Sequence, residues 1–194
     1  MPPLILPHPE FSATFAAMNQ ADLDRLSSGI RDVHDFPKPG IIFKDITTVL
    51  SDPELFHLAI SGLIETAGDV KIDKVIGIDA RGFIFGAALA DRIGAGFVPM
   101  RKKGKLPWQT IGKAFALEYG EDEIELHKDA LHKGENVLLV DDLLATGGTA
   151  GAAVELISQL GANLIAVSFF IELEFLNGRE KLGDDVRIEA LLKY

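Results

Sequence analysis

Two adjacent aspartates and a glycine pair stand close together in the stretch VLLVDDLLATGGT, residues 137–149. The apolar run at 137–140 predicts an interior strand, which would place Asp141 and Asp142 at its carboxyl end. Residues 145–149 would then open a helix, where free backbone N–H groups and threonine hydroxyls can bind a phosphate dianion. Carboxylates repel phosphate and only accept hydrogen bonds, so vicinal hydroxyls are their natural partners. A sugar phosphate meets both demands; the alternative is an ordinary βα turn with an aspartate cap.

The elements that must position these residues alternate along the chain. The apolar runs KVIGID, GFVPM, NVLLVDD and NLIAVSFFIEL predict strands, while RGFIFGAALADRIG and TAGAAVELISQLGA predict helices between them. Strands that are apolar on both faces are typical of a parallel sheet covered by helices. The sequence therefore predicts an α/β fold with a Rossmann-like parallel sheet flanked by helices. Ligands of such sheets bind beyond the carboxyl ends of the strands.

The N-terminal part precedes this alternation. Leu23, Leu26, Ile30 and Val33 are spaced by three, four and three residues, which predicts one helical face with Asn19 as the N-cap. PKPGIIFKDIT then ends the helix and predicts a short strand, and SDPELFHLAISGLIETAG predicts a second helix with proline in its first turn. Later, RKKGKLPWQTIGKAFALEYGEDE is long for a connection, and long loops in compact domains are often lids.

Composition limits the classes of function. The chain has 194 residues, enough for one domain, with 19 Lys and Arg against 29 Asp and Glu, a net charge of −10. Such a surface disfavours nucleic acid and anionic membranes as partners. The absence of cysteine excludes disulfides, thiolate zinc sites and cysteine nucleophiles. The N-terminal stretch is a poor signal peptide and no segment predicts a membrane span, so we expect a cytoplasmic protein.

Other phosphate-binding motifs are missing. No G-x-x-x-x-G-K-[ST] occurs, which argues against a P-loop ATPase, and no G-x-G-x-x-G follows a strand, which argues against a dinucleotide dehydrogenase. The segments FPKPGIIFKDIT, GIDARGFIFG, RKKGKLP, ALEYG and DDLLATGGT are instead similar, in order and spacing, to those of the adenine-specific type I phosphoribosyltransferases. The resemblance covers roughly residues 30–182 and includes a closing GREKL.

The resemblance carries expectations about organisation and activity. It implies a single type I phosphoribosyltransferase domain over residues 1–194, with a small hood (about 19–45 plus the C-terminal segment) and a flexible lid loop (about 102–120). It implies transfer of the 5-phosphoribosyl group from phosphoribosyl diphosphate to adenine, giving AMP and pyrophosphate. It also implies Mg²⁺ carried mainly by the substrate, with no direct protein ligand, and a homodimer.

The resemblance also assigns residues to the sugar diphosphate. Asp141 and Asp142 would hold the ribose hydroxyls. The 5′-phosphate loop would comprise Ala145, Thr146, Gly147, Gly148 and Thr149. The diphosphate would be bound by the loop of Asp79, Ala80 and Arg81, whose family form carries a cis non-proline peptide. A basic cluster with Arg101, Lys102 and Lys105 would bind it as well.

Further residues are assigned to the base and the chemistry. Phe43 would stack on adenine, and the other adenine-binding candidates are Ile42, Lys44, Arg81 and Leu173. Glu118 would transfer a proton at the purine, Arg81 would share the catalytic role, and Glu118 and Tyr119 would belong to the lid.

Three alternatives remain open. The base could be hypoxanthine, guanine or xanthine, although GIIFKDIT and ALEYG favour adenine. The chain could be a regulatory or RNA-binding member of the fold, which its charge disfavours. It could also be a structural homologue with an inactive site.

Overall fold

The computed structural model describes residues 18–116 and 120–194. The elements are, in chain order, α1 (Gln20–Gly29), β1 (Arg31–His34), β2 (Ile42–Asp45), α2 (Thr47–Ser51), α3 (Pro53–Glu65), β3 (Lys74–Ile78), α4 (Gly82–Ile93), β4 (Gly96–Lys102), β5 (Thr110–Ala116), β6 (Glu121–His127), β7 (Asn136–Leu144), α5 (Gly148–Leu160), β8 (Asn163–Glu172) and β9 (Ile188–Lys193). Two 3₁₀ turns, Glu174–Leu176 and Gly178–Lys181, lie between β8 and β9.

A seven-stranded sheet in the order β5-β6-β4-β3-β7-β8-β9 forms the centre of the described chain. The five strands from β4 to β9 in that order are parallel, while β6 and β5 add to the β4 edge as antiparallel strands. Successive residues of β7 belong to opposite apolar layers: Val137 and Leu139 to one, Leu138 and Val140 to the other. Both faces of the strand are therefore buried, as the apolar runs predict.

The helices cover the two faces separately. Phe85 and Leu89 of α4 pack in one layer with residues of α1 and α3, and Leu156 of α5 packs in the other. The α/β class with a parallel sheet flanked by helices is confirmed.

The first helix is shorter than its apolar spacing predicts. Asn19 is its N-cap and forms a reciprocal capping box with Asp22, but the helix ends at Gly29. Val33, predicted to lie on the helical face, is instead in β1 and faces Phe43 across a two-stranded antiparallel hairpin. The prediction for Val33 is wrong because pairing with β2 overrides the local helical period. This β1–β2 hairpin lies within the predicted hood.

The predicted lid region also has regular structure. In residues 102–116, β5 pairs with β6 from Thr110 opposite His127 to Ala116 opposite Glu121. The described part of the segment is therefore largely one arm of a β-hairpin rather than an irregular connection.

None of the helices in the described ranges has the length and apolar character that a membrane crossing requires.

Candidate active site

The main cleft opens at the carboxyl ends of β3 and β7, which are neighbours in the sheet. The helix after β3 packs on one face of the sheet and the helix after β7 on the other, so the two connections diverge at this point. Such a switch point leaves a crevice in open α/β sheets. The cleft has a volume of about 340 Å³.

A short turn at residues 79–81 forms one wall of the cleft. The Asp79–Ala80 peptide bond is cis, as the resemblance implies. The Asp79 carboxylate accepts a hydrogen bond from Arg101 Nε at 2.9 Å, and Arg101 Nη1 donates to the Lys105 carbonyl at 3.1 Å. The turn is thus held by the basic segment that follows β4.

Arg81 connects the two sides of the cleft. Its Nε lies 2.8 Å from Asp142 Oδ2, and its guanidinium carbon lies 5.4 Å from the centre of the Phe43 ring. The Asp142 side chain is 9% exposed, so the pair is largely withdrawn from water on the carboxylate side. One side chain therefore approaches both Asp142 and the hood aromatic, while its predicted roles at the diphosphate and the base stay predictions.

The two adjacent carboxylates lie in an environment that opposes their ionisation. Burial raises the pKa of Asp141 well above its ordinary value, and repulsion from Asp142 adds to the effect. Burial also raises the pKa of Asp142, although the Arg81 charge acts in the opposite direction. The α4 N-terminus closes tightly on the pair, since a Cβ on Gly82 would lie 2.7 Å from Asp141 Oδ1. The site therefore holds negative charge at a cost in stability.

We expect Asp141→Asn to raise the stability of the protein at neutral pH by about 1 kcal/mol, or roughly 2–4 °C in Tm. The variant removes the disfavoured charge and keeps an oxygen that can accept the Asp142 N–H, now 2.9 Å from Asp141 Oδ1. Because the folded pKa is raised above 3.8, the wild-type protein loses stability as pH rises from that value through the folded pKa. The advantage of the variant should therefore shrink towards about pH 4.

Thermal unfolding at both pH values measures this difference. Asp129→Asn, at an exposed position, is the matched control and should leave Tm unchanged at both. A lower Tm for Asp141→Asn at neutral pH would contradict the prediction.

The 145–149 loop lies between β7 and α5. A second cavity of about 80 Å³ is lined by this loop, with Ala145, Thr146, Gly147, Gly148 and Thr149 all contributing. Gly147 has φ +78° and caps the helix start. The geometry leaves a small, polar space directly at a helix N-terminus, which suits a phosphate group.

Five cleft residues were not predicted from the sequence, and two of them, Ile78 and Leu143, are chain neighbours of predicted residues. Phe115 of β5 and Asp122 and Ile124 of β6 line the cleft because the β5–β6 hairpin lies beside it. Burial alternates along β5 in the folded chain, but the glycine, lysine and alanines of TIGKAFA give no clear apolar alternation in the sequence.

The predicted basic cluster is matched by acidic residues of β6. Lys102 lines the cleft and pairs with Asp122 at 2.7 Å, while Lys103 pairs with Glu123 at 2.6 Å. Arg101 reaches Asp79 instead, and the exposed Lys105 contributes its backbone carbonyl. Arg101 and Lys102 are thus the members of the cluster that reach the cleft wall.

The base-binding candidates lie at the hood and after β8. Phe36 and Phe43 meet edge to face at 5.3 Å, and Ile42 is half exposed. The Lys44 ammonium pairs with Asp32 at 2.8 Å. Its side chain is therefore engaged within the hood, and the main-chain contact of Lys44 with the base stays a prediction. Leu173 donates its N–H to the Leu144 carbonyl at 2.9 Å, next to the end of β7.

Glu118 and Tyr119 lie outside the described residues. On either side of that gap, Phe115 and Asp122 both line the cleft.

Comparisons with known proteins agree with this geometry. The family model "Phosphoribosyl transferase domain" matches residues 54–184. An adenine phosphoribosyltransferase of Methylorubrum populi is 54% identical over 170 residues, 87% of this chain and 94% of the relative. The crystal structure of adenine phosphoribosyltransferase from Rhodothermus marinus has a TM-score of 0.86 at 49% identity, covering 91% of this chain and all of that one.

A third relative has been solved with ligands bound. The adenine phosphoribosyltransferase of Saccharomyces cerevisiae, in complex with an imino-altritol bisphosphate and adenine, has a TM-score of 0.83 at 42% identity, covering 88% of this chain and 98% of that one. The identity to these adenine phosphoribosyltransferases extends over most of both chains, and so includes the sheet, the cleft and the 145–149 loop. The chain belongs to the phosphoribosyltransferase family and, within it, to the adenine phosphoribosyltransferases.

Proposed function

We propose that the chain transfers the 5-phosphoribosyl group from phosphoribosyl diphosphate to adenine, giving AMP and pyrophosphate in purine salvage. The observation that carries this is that the 79–81 turn and the Asp141–Asp142 pair line the main cleft, while the 145–149 loop lines a second cavity that shares Asp141 and Thr149 with it. Adenine N9 attacks C1′ as the bond from C1′ to the diphosphate oxygen breaks, through an oxocarbenium-like transition state. Each part of the site then answers one demand of that reaction.

The sugar phosphate is bound by the elements that follow β7. The 145–149 loop accepts the 5′-phosphate, because backbone N–H groups and the two threonine hydroxyls converge at the start of α5. Asp141 and Asp142 accept hydrogen bonds from the two ribose hydroxyls. The ligand is thus held at its 5′-phosphate by the loop and at its vicinal diol by the two carboxylates, which fixes C1′ for attack.

The diphosphate is bound by the opposite wall. Asp79, Ala80 and Arg81 form its loop, and Arg101, Lys102 and Lys105 supply positive charge. Negative charge grows on the leaving pyrophosphate in the transition state, so preorganised cations at this wall lower the barrier. Arg81 has the central place because it already spans the carboxylate pair and the hood.

Adenine is bound between the hood and the segment after β8. The Phe43 ring stacks on the purine, supported by Phe36 at its edge. Main-chain groups of Ile42 and Lys44 read the adenine edge, and Leu173 closes the other side. Glu118 exchanges a proton with the purine, and closure of the lid over residues 102–120 excludes water that would otherwise attack the ribose.

Mg²⁺ is proposed to enter with phosphoribosyl diphosphate. The described residues hold no group of three or more His, Cys, Asp or Glu placed to ligate a metal. Three aspartates of the cleft each pair with a cationic side chain: Asp79, Asp122 and Asp142. Because Mg²⁺ keeps several waters, these carboxylates would contact it through water or through the substrate and not as direct ligands. When bound, Mg²⁺ adds positive charge at the diphosphate.

The setting of the enzyme is also part of the proposal. The absence of cysteine from the chain is compatible with a reducing compartment, and we infer a cytoplasmic location. We also infer a homodimer, as the resemblance implies, acting on small molecules and not on nucleic acid.

Competition among bases tests the function. AMP formation would be measured from phosphoribosyl diphosphate and Mg²⁺ with adenine, hypoxanthine, guanine and xanthine present together. We expect strong selectivity for adenine. Turnover with another base would keep the phosphoribosyl site and overturn the base pocket. Tight binding of the sugar diphosphate without turnover of any base would instead favour a regulatory protein.

A further inference from the structure

An ion pair between a buried carboxylate and a half-buried guanidinium lies outside the cleft but behind its phosphate loop. Glu172, the last residue of β8, has a side chain that is 5% exposed. It accepts two hydrogen bonds of 2.6 Å from Arg179, one from Nε and one from Nη2. Neither residue lines the main cleft or the cavity at the 145–149 loop. The pair therefore lies outside both cavities of the proposed site.

Arg179 ties three elements together. It lies in the 178–181 turn, binds the end of β8 through Glu172, and donates through Nη1 to the Ile188 carbonyl of β9 at 2.9 Å. The bidentate pairing fixes the plane of the guanidinium as well as its distance. The hydrogen bonds from Arg179, and then its charge, lower the pKa of Glu172 against the effect of burial, which favours the ionised carboxylate. The turn is thus fixed to the sheet with a defined position.

The same turn forms the support beneath the phosphate loop. A Cβ on Gly147 would overlap the Gly178 carbonyl, and a Cβ on Gly178 would overlap the Ala145 carbonyl. One turn further along α5, a Cβ on Gly151 would lie 2.5 Å from the Lys181 carbonyl. At these three points the backbone of the loop or of α5 approaches the backbone of the turn so closely that no Cβ fits between them. The loop therefore has no room to move towards the turn.

We propose that Glu172 and Arg179 are positioning residues for the 5′-phosphate. They act through the 178–181 turn, whose backbone packs against the 145–149 loop and so fixes the position and orientation of the N–H groups in that loop. This inference rests on the proposed function, since it assumes that the loop binds phosphate. It predicts a defect confined to ligands that carry the 5′-phosphate, while adenine binding at the hood is retained.

Arg179→Lys is the main test, because it keeps a positive charge beside Glu172 and removes the two-pronged geometry. We expect the KM for phosphoribosyl diphosphate and the Kd for ribose 5-phosphate to rise at least about tenfold, as the loss of charge-assisted bonds implies. The KM for adenine should change less than about twofold, since the β1–β2 hairpin that carries Phe43 is untouched. Isothermal titration calorimetry and steady-state kinetics measure these quantities, well below the Tm of each variant.

Two further variants separate positioning from stability. Arg179→Met combined with Glu172→Gln leaves no unpaired charge, and it should show the same ribose 5-phosphate defect. Arg187→Lys is the matched control: Arg187 Nε pairs with Glu189 at 3.0 Å, but both side chains are more than 40% exposed. It should leave both ligand constants unchanged.

The outcomes are distinct. Unchanged ribose 5-phosphate binding in both the Arg179→Lys and the double variant would overturn the positioning role. An equal loss of adenine and ribose 5-phosphate affinity would overturn it as well, because it would indicate general damage. If the wild-type protein itself neither binds ribose 5-phosphate nor forms AMP, the proposed function has failed rather than the positioning role.

Discussion

Gly147→Ala is expected to lower kcat/KM for phosphoribosyl diphosphate about 10³-fold. The new Cβ would overlap the Gly178 carbonyl, and alanine at φ +78° is itself disfavoured by about 1–2 kcal/mol. Because the 178–181 turn is fixed to the sheet, the 145–149 loop is the part that must shift. A shifted loop loses two or more charge-assisted hydrogen bonds to the 5′-phosphate, each contributing about 1.5–3 kcal/mol. Steady-state kinetics and the Kd for ribose 5-phosphate measure the loss.

The control must place alanine at a similar positive φ, with the same backbone strain, but without a steric overlap between the new Cβ and another residue. Gly94 ends α4 with φ +69°, and a Cβ there would have no atom within 4 Å. Gly94→Ala should therefore cost about 1 kcal/mol of stability and leave the kinetics unchanged. Equal kinetic effects of the two alanines would show that backbone strain alone, and not the contact with Gly178, governs the loop.

The parallel core could be predicted from the sequence because its signals are local. β3, β7 and β8 are continuous apolar runs, and α4 and α5 have a consistent apolar period and each end at a glycine. Once a run is recognised as a buried parallel strand, its carboxyl end is a defined place, so Asp79, Asp141 and Asp142 could be located before their contacts were known. The 145–149 loop follows by chain connectivity.

The β5–β6 hairpin could not be recognised in the same way. Its first strand contains Gly112 and alternates small with larger residues, and its second begins with three acidic residues. These compositions indicate a loop when read locally. Their strand character is stabilised by pairing with β4, where Arg101 faces Glu125 and Lys102 faces Ile124. Asp122 therefore enters the cleft through a tertiary register that no window of sequence contains.

The Glu172–Arg179 pair is a second example. The two residues are seven apart, in a segment without helical or strand periodicity between them, and an arginine in GREKL is an ordinary surface residue when read alone. Only the return of the chain over the end of β8 brings the guanidinium to a buried carboxylate. Residues that support a site from behind are missed because their partners are set by the fold.

Glu118→Ala is expected to lower kcat about 10²–10⁴-fold, the usual contribution of a positioned acid or base. The KM for adenine should change little, because stacking on Phe43 and main-chain contacts supply its binding. The described flanks support the assignment: Phe115 and Asp122 reach the cleft from the two strands of the hairpin. Single-turnover kinetics with adenine and phosphoribosyl diphosphate measure the chemical step separately from product release.

Glu121→Ala provides a matched control, since Glu121 is an exposed glutamate three residues away at the start of β6. It should keep the wild-type kcat, because charge near the lid is not what the reaction requires. If Glu118→Ala retained its turnover and lost only affinity, Glu118 would be a binding residue and the proton would need another carrier. If both variants lost turnover equally, the effect would belong to the hairpin as a unit. A kcat defect confined to Glu118 would place proton transfer at that side chain, since both alanines remove the same charge at positions three residues apart in the chain.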